Sequence, residues 1–139
     1  MSNIVQTQTT SFKAQLYEGV HDLLTDTIKI ALYTVDATLN ADTTVYTTAN
    51  EVTGSGYVAG GAQMTGITIG SSGYIAFVDF DDVVFSAAVT ARCALIYNAS
   101  QGDKSIAVLD FGSDKTSTAN FTITMPPNNA TAALIRSSN

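Results

Sequence analysis

The stretch Ile28-Lys29-Ile30-Ala31-Leu32-Tyr33 decides the fold class, because its large apolar side chains recur with a period of two. The same alternation, rich in β-branched and aromatic residues and in threonine, returns along the rest of the chain and favours pleated strands. Further strands are predicted over residues 62–69, 74–80, 83–85, 89–98, 105–111, 120–125 and 130–136. The pattern predicts a mainly β protein, an antiparallel β-sandwich or jelly-roll-like barrel of about seven or eight strands.

One helix is predicted ahead of the first strand, from residue 11 to about residue 24. Its apolar stripe at helical spacing consists of Phe12, Leu16, Val20 and Leu23. Thr10 or Ser11 is placed to cap its start, and Gly19 weakens its interior. The sequence therefore predicts a sandwich with one N-terminal helix.

The domain organisation is simple. Residues 1–10 form a polar segment rich in Thr and Gln, which is either an arm that reaches a neighbouring subunit or a frayed terminus. Residues 11–139 form a single domain. Core packing does not explain the arm, the long loop over 36–50 or the glycine-rich turn over 54–61. These three segments are the predicted surfaces for subunit contacts.

The net charge and the N-terminal residues argue against nucleic-acid binding, membrane binding and export. The net charge of the 139 residues is −6, and the basic residues are scattered as Lys13, Lys29, Arg92, Lys104, Lys115 and Arg136. Nucleic acids and anionic membranes attract clustered cations, so neither is an expected partner. Residues 1–10 lack a secretory signal, and no stretch approaches the roughly 20 apolar residues of a membrane span. We therefore expect synthesis in the cytoplasm without export.

The sequence predicts no catalytic residue, no cofactor-binding motif and no metal site. His21 lies opposite the apolar stripe of the predicted helix, so a solvated surface position is expected. Cys93 lies in an apolar strand and is expected to be a small buried hydrophobe. Asp79, Asp81 and Asp82 are the densest acidic feature, but the spacing of an EF-hand loop is missing. A polar strand edge or turn is the preferred interpretation, with calcium binding as the lesser alternative.

Two other kinds of site are also disfavoured. The glycine-rich turn precedes a strand rather than a helix, and no Gly-Lys-Ser/Thr follows it, so a phosphate loop is not expected. Glycoside hydrolysis needs two carboxylates across a groove, commonly with aromatic platforms, and the chain has no Trp. Core packing accounts for its strand-internal aromatics, Phe77, Phe80, Phe85, Phe111 and Phe121.

A family resemblance rests on five motifs in a fixed order. They are Phe12-Lys13, Asp26-Thr27-Ile28-Lys29-Ile30-Ala31-Leu32-Tyr33-Thr34, Asn50-Glu51-Val52-Thr53-Gly54-Ser55-Gly56-Tyr57 with Gly60-Gly61, Ala94-Leu95-Ile96-Tyr97-Asn98, and Val108-Leu109-Asp110-Phe111-Gly112. Over about residues 11–136 the chain resembles small structural proteins encoded by tailed bacteriophages. The resemblance implies a non-enzymatic virion protein whose partners are other virion proteins.

The resemblance leaves two positions on the particle open. A capsid decoration, or cement, protein would bind the major capsid protein on the outer head shell, often as a trimer, and this is the preferred expectation. A neck, tail or fibre-anchoring component is the alternative. From another class, a carbohydrate-binding module would present exposed aromatic rings, and Tyr46 and Tyr57 in or beside loops are the candidates for that role.

Overall fold

The protein is described by a computed structural model that covers residues 5–126 and 132–137. Its elements in chain order are β1 (Val5–Gln8), α1 (Thr10–Tyr17), β2 (Ile28–Tyr33), β3 (Ala62–Gln63), β4 (Thr68–Ser72), β5 (Ile75–Asp79), β6 (Val83–Phe85), β7 (Thr90–Asn98), the 3-10 turn η1 (Ala99–Gln101), β8 (Lys104–Thr116), β9 (Phe121–Ile123) and β10 (Ile135–Ser137). The predicted mainly β, antiparallel, sandwich-like fold with one α-helix is confirmed. The described residues form ten strands rather than seven or eight, and β8 is longer than the predicted strand over 105–111.

Three antiparallel sheets make up the β structure of the described residues. The largest has the strand order β1-β8-β7-β2-β3, a second has the order β10-β5-β4, and β6 pairs with β9. The strands β2, β7 and β8 are the longest and lie inside the large sheet. The stretch 28–33 therefore forms an interior strand, and five of its six residues are buried.

The main core lies on one face of the large sheet and takes in residues from all three sheets. Ile30, Ile96 and Leu109 from the large sheet join Phe85, Phe121 and Ile135 from the other two sheets in this cluster. Phe12 of α1 is fully buried in it. A side chain of this kind stabilises the fold by about 1.5–3 kcal/mol when it leaves water. The phenylalanines predicted to be core residues lie here, except that Phe77 is only partly buried.

The opposite face of the large sheet is also buried, beneath the long loop between β2 and β3. Tyr33, Leu95 and Tyr97 form a second apolar cluster, and Leu39 and Tyr46 of the loop pack against it. The main chain fixes the loop as well, since Tyr46 N donates to Asp103 O at 2.9 Å. The predicted loop over 36–50 is thus partly a cover for the sheet and only partly an open surface.

The helix is shorter than predicted, and its end has a local cause. Gly19 adopts φ +72, Gly19 N donates to Leu16 O, and Val20 N donates to Gln15 O. This is a Schellman motif, in which a left-handed glycine terminates the helix. The prediction of a helix to residue 24 was wrong because Gly19 ends the helix rather than weakening its interior. The cap is Thr9, whose Oγ1 accepts from Phe12 N, not Thr10 or Ser11.

Several strand boundaries also differ from the predictions. Gly66 at φ +64 separates β3 from β4, so the predicted strand over 62–69 divides between two sheets. Ser72 pairs with Ile75, which confines the predicted turn over 70–73 to Gly73 and Tyr74. Part of the predicted last strand, residues 130 and 131, lies outside the described residues, and of its described part only Ile135 and Arg136 belong to β10.

The predicted N-terminal arm is a strand over the residues where it is described. β1 pairs antiparallel with β8, in the register Thr7 to Val108. Thr9 is fully buried, and Thr9 N donates to Ile106 O at 3.0 Å. Residues 5–10 therefore belong to the body of the domain, and residues 1–4 lie outside the described part of the chain.

Candidate functional site

His21 lies in a polar network rather than on a solvated surface, which corrects the expectation. Helix α1 ends at Tyr17, so His21 occupies the following loop, where its ring packs 5.0 Å from that of Phe12. Nε2 of His21 lies 2.8 Å from Gln15 Oε1, and Nδ1 lies 3.0 Å from Asn98 Nδ2. Burial lowers the pKa of His21, with Asp26 opposing and Lys104 reinforcing that shift. The lowered pKa favours the neutral form of the ring.

Asn98 is the centre of this network and is fully buried at the end of β7. Its amide nitrogen also donates to Asp26 Oδ2 at 2.8 Å, and its amide oxygen accepts from Ser100 N at 3.0 Å. The Asn98 bond, with a second from Asp22 N, lowers the pKa of Asp26. Every polar atom of the Asn98 side chain has a partner, so the network ties the loop after α1 to the large sheet.

A second polar cluster joins Glu51 to tyrosines. Tyr46 Oη donates to Glu51 Oε1 at 2.6 Å, and Tyr57 Oη donates to Oε2 at 2.5 Å. Gly60 N donates to the same Oε2 at 2.9 Å. The carboxylate of Glu51 therefore accepts three hydrogen bonds within one loop.

Tyr46 and Tyr57 are not the exposed rings that the sequence suggested. The ring of Tyr46 stacks on that of Tyr97 at a centroid distance of 4.6 Å, and the ring of Tyr57 lies 5.8 Å from that of Phe85. Tyr57 Oη also accepts from Leu32 N at 3.0 Å. Burial raises the pKa of both phenols, and their bonds to Glu51 raise it further. Both rings hold the loop in place.

The three aspartates near the end of β5 do not converge on one point. Asp81 Oδ2 accepts from Thr65 Oγ1 at 3.3 Å, whereas Asp82 Oδ1 accepts from Met125 N at 2.7 Å. Asp79 Oδ1 is buried without a partner, and burial raises the pKa of this carboxyl group. Across residues 5–126 and 132–137, no three acidic, His or Cys side chains are grouped so that they could hold a metal ion.

The glycine-rich turn packs against the body of the domain. A Cβ on Gly54 would overlap Ala88 O, one on Gly56 would overlap Ser86 O, and one on Gly61 would overlap Ile30 O. These glycines therefore permit close backbone contacts within the domain. Val58, at 73% exposure, is the outward-facing large side chain of this turn.

Cys93 is buried on the loop-covered face of the large sheet, as the sequence predicted. Burial raises the pKa of its thiol to about 11, with a further contribution from Asp110. Reactive cysteines have lowered pKa values, so Cys93 has the character of an apolar core residue.

The sequence did not predict a polar cleft that lies between the large sheet and the three-stranded sheet. The cleft has a volume of about 810 Å³ and is lined by Gln6, Thr7, Gln8, Lys13, Leu16, Tyr17, Ile75, Leu134, Arg136 and Ser137. A second, more apolar cavity of about 400 Å³ shares Leu16 and Ser137 with it and extends to Ile69 and Phe77. We call the two together, with the side chains around them, the cleft face.

Large apolar side chains are exposed on the cleft face. Tyr17 is 95% exposed, Ile69 is 55% exposed and Leu16 is 37% exposed. Leu16 belongs to the apolar stripe that the sequence identified, but the helix ends one residue later and the stripe is not fully covered. Exposed apolar side chains around a cleft are typical of surfaces that bind other molecules.

The comparisons with known proteins identify no relative: no protein-family model, curated protein or solved structure matches the chain. Within the described part of the chain, no helix combines the length and apolar character needed to cross a membrane.

Proposed function

We propose that the protein is a non-enzymatic structural component of a tailed-bacteriophage virion, and specifically a capsid decoration protein that binds and stabilises the outer head shell. The resemblance of the five motifs over residues 11–136 suggests the class of particle. The observation that carries the binding role is the cleft face, where Tyr17 and Ile69 expose apolar surface beside two open cavities.

The polar side chains support a structural rather than a catalytic role. His21, Asp26 and Glu51 are of a type suited to acid–base chemistry, and each is engaged in hydrogen bonds within the domain. Asp79 differs from them, because its Oδ1 is buried without a partner. General acid–base catalysis needs such a group within reach of a substrate. Enzyme activity would require a carboxylate pair that the sequence does not identify. Particle assembly that stays intact with Asp79→Asn and Asp81→Asn would leave that alternative without support.

The position on the virion is tested by the number of copies in purified particles. A decoration protein follows the symmetry of the head, so quantitative mass spectrometry should find hundreds of copies per particle. About six to twelve copies would instead indicate a ring at the neck or tail. Light scattering of the isolated protein tests the proposed trimer.

The role of the cleft face is tested by matched surface variants. Tyr17→Ser combined with Ile69→Ser should abolish binding of the protein to particles that lack it. Val58→Ser combined with Val84→Ser is the control, because those two side chains are 73% and 55% exposed away from both cavities. Equal binding by both double variants would contradict this use of the cleft face.

A carbohydrate-binding module remains the second candidate, on the observation that two aromatic rings are almost fully exposed. Tyr17 and Tyr74 are 95% and 90% exposed, and such rings can stack against sugars. A glycan array on which the wild-type protein binds nothing would remove this candidate. Binding that is lost in Tyr17→Ser or Tyr74→Ser would favour it.

A further inference from the structure

Two sheets end on opposite sides of the polar cleft. β1 is the end strand of the five-stranded sheet, and β10 is the end strand of the three-stranded sheet. Residues of both strands line the cleft, with Gln6 and Gln8 on one side and Arg136 on the other. The cleft is therefore a gap between two strand edges.

The main chain of β1 directs hydrogen-bonding groups into this gap. Thr9 N donates to Ile106 O. Because every second residue of an antiparallel strand directs its N–H and C=O groups toward the partner strand, Thr7 and Val5 also direct theirs toward β8. The residues between them, Gln6 and Gln8, direct their N–H and C=O groups away from β8 and toward the cleft. An edge of this kind is a template for another strand.

The side chain of Gln8 connects the edge of β1 to the edge of β10, which are not joined by main-chain hydrogen bonds. Gln8 Nε2 donates to the main-chain oxygen of Arg136 at 3.0 Å. The bond shows that the carbonyl of Arg136 faces β1. A direct ladder would place the two strands about 4.8 Å apart, and no pairing between β1 and β10 is present. The side-chain amide thus occupies a position that the N–H of an inserted strand would take.

The charge of the cleft is opposite to that of the chain as a whole. The protein has twelve acidic and six basic residues. Lys13 and Arg136 nevertheless line the cleft, and no Asp or Glu is present among the described residues that line it. This lining complements a negatively charged ligand. A second copy of the chain is a poor occupant, because its acidic strand residues Asp79, Asp110 and Asp114 belong to β5 and β8, and each of these strands already pairs with two neighbours.

We propose that the cleft binds an extended acidic peptide segment of a partner protein, which adds as a strand between β1 and β10 and joins the two sheets. The main chain of the peptide supplies hydrogen bonds to both edges, and its carboxylates contact Lys13. The proposal rests on the proposed function in treating the cleft face as an assembly surface. It adds the chemistry of the partner segment and its mode of binding.

The test is selection of a random eight-residue peptide library on the immobilised wild-type protein. The expected result is enrichment of Asp or Glu among β-branched residues, with Pro depleted, and affinity of the selected peptides for the protein in solution. Nuclear magnetic resonance should then show that the amides of Gln6 and Gln8 become protected from hydrogen exchange on binding. Absence of enrichment over blank beads, or protection at β4 instead of β1, would overturn the proposal.

Two variants test the binding mode. Gln6→Pro removes an outward N–H and leaves the ladder to β8 intact, so it should abolish binding of the selected peptide. Lys13→Gln, on the exposed side of α1, should weaken binding about threefold, and Lys115→Gln is its matched control. If Gln6→Pro does not fold, Lys13→Gln and Lys115→Gln provide the test. An equal loss of peptide affinity in both variants, or no loss in either, would reject recognition of an acidic peptide.

The outcomes separate this proposal from the virion assignment. Peptide binding by the isolated protein, together with its absence from purified particles, would remove the proposed function and leave the strand-addition site. Hundreds of copies per particle, together with failure of the peptide selection, would support the proposed function and remove the strand-addition site. Concentration-dependent dimers that Lys13→Gln disrupts would assign the cleft to a second copy and would overturn the proposed partner.

Discussion

Asn98 donates a hydrogen bond to Nδ1 of His21 across 3.0 Å, and this bond connects the end of an interior strand to the loop after the helix. The amide cannot rotate to offer its oxygen instead, because Asn98 Oδ1 already accepts from Ser100 N. Nδ1 of His21 is therefore an acceptor, and the hydrogen of the neutral ring lies on Nε2, toward Gln15. A protonated His21 would place two donors in contact.

The free energy of unfolding should therefore decrease as the pH is lowered through the range where His21 titrates. The pKa of His21 is lowered in the folded state, so the unfolded chain binds a proton first as the pH falls below 6.5. Urea unfolding at pH 7.5, 6.5 and 5.5 should show a decreasing free energy of unfolding. His21→Gln should flatten this dependence relative to the wild type. The stabilisation that comes with the lowered pKa of Asp26 is present throughout this range and is lost only near and below pH 3.8. A slope that His21→Gln leaves unchanged would assign the effect to another group.

Glu51→Gln should loosen the long loop. The variant replaces a carboxylate that accepts from Tyr46, Tyr57 and Gly60 with an amide that can accept at only one atom. We expect the free energy of unfolding to fall by about 1–3 kcal/mol. Spectrophotometric titration should show lower phenol pKa values in the variant, since the negative charge of Glu51 raises them. Glu18→Gln, on an exposed residue, is the control.

Two glycines with similar backbone angles should differ in their tolerance of a methyl group. Gly61 has φ +79 and its Cβ would overlap Ile30 O, whereas Gly73 has φ +59 and open space around it. Gly73→Ala should cost about 1–2 kcal/mol, the penalty of the left-handed conformation alone. Gly61→Ala should cost clearly more, because the main chain of β2 must also move. Thermal unfolding measures both, and equal losses would show that the close contact is unimportant.

Cys93 should react slowly with a thiol reagent in the folded protein. Its pKa is raised to about 11 and the side chain is buried, so little accessible thiolate is present at pH 8. Reaction should be fast in urea. Leu39→Ala, which thins the apolar cover over this cluster, should accelerate the native reaction, whereas Val45→Ala should leave it unchanged. A fast native reaction in the wild type would show that the loop does not protect this face.

Local patterns predicted much of the fold. The alternation at residues 28–33 identified β2, and the apolar run with Cys93 identified the strand that became β7. Local chemistry also contained one signal that was misinterpreted: Gly19 fits a helix end as well as a weak interior position. The glycine-rich turn was expected at the surface, because the close approach of Ile30 O to Gly61 involves residues far apart in the sequence.

The candidate sites were harder to predict than the strands. Tyr46 and Tyr57 were correctly placed in or beside loops, but their common partner Glu51 follows only from the way the loop folds back. His21 was assigned to solvent because its position was inferred from a helix that ends before it. No sequence pattern indicated the cleft, because Gln6, Gln8 and Lys13 are ordinary residues for a polar N-terminal segment.

The sequence by itself determined that this protein is a β protein with one early helix, because side-chain period and turn residues act over a few neighbouring positions. Only the tertiary structure decided that the N-terminal segment becomes β1 and that the long loop covers the second face of the large sheet. It also decided that the edges of β1 and β10 face each other across a cleft. These features join residues as distant as Gln8 and Arg136, and they depend on how the two sheets pack rather than on any local preference.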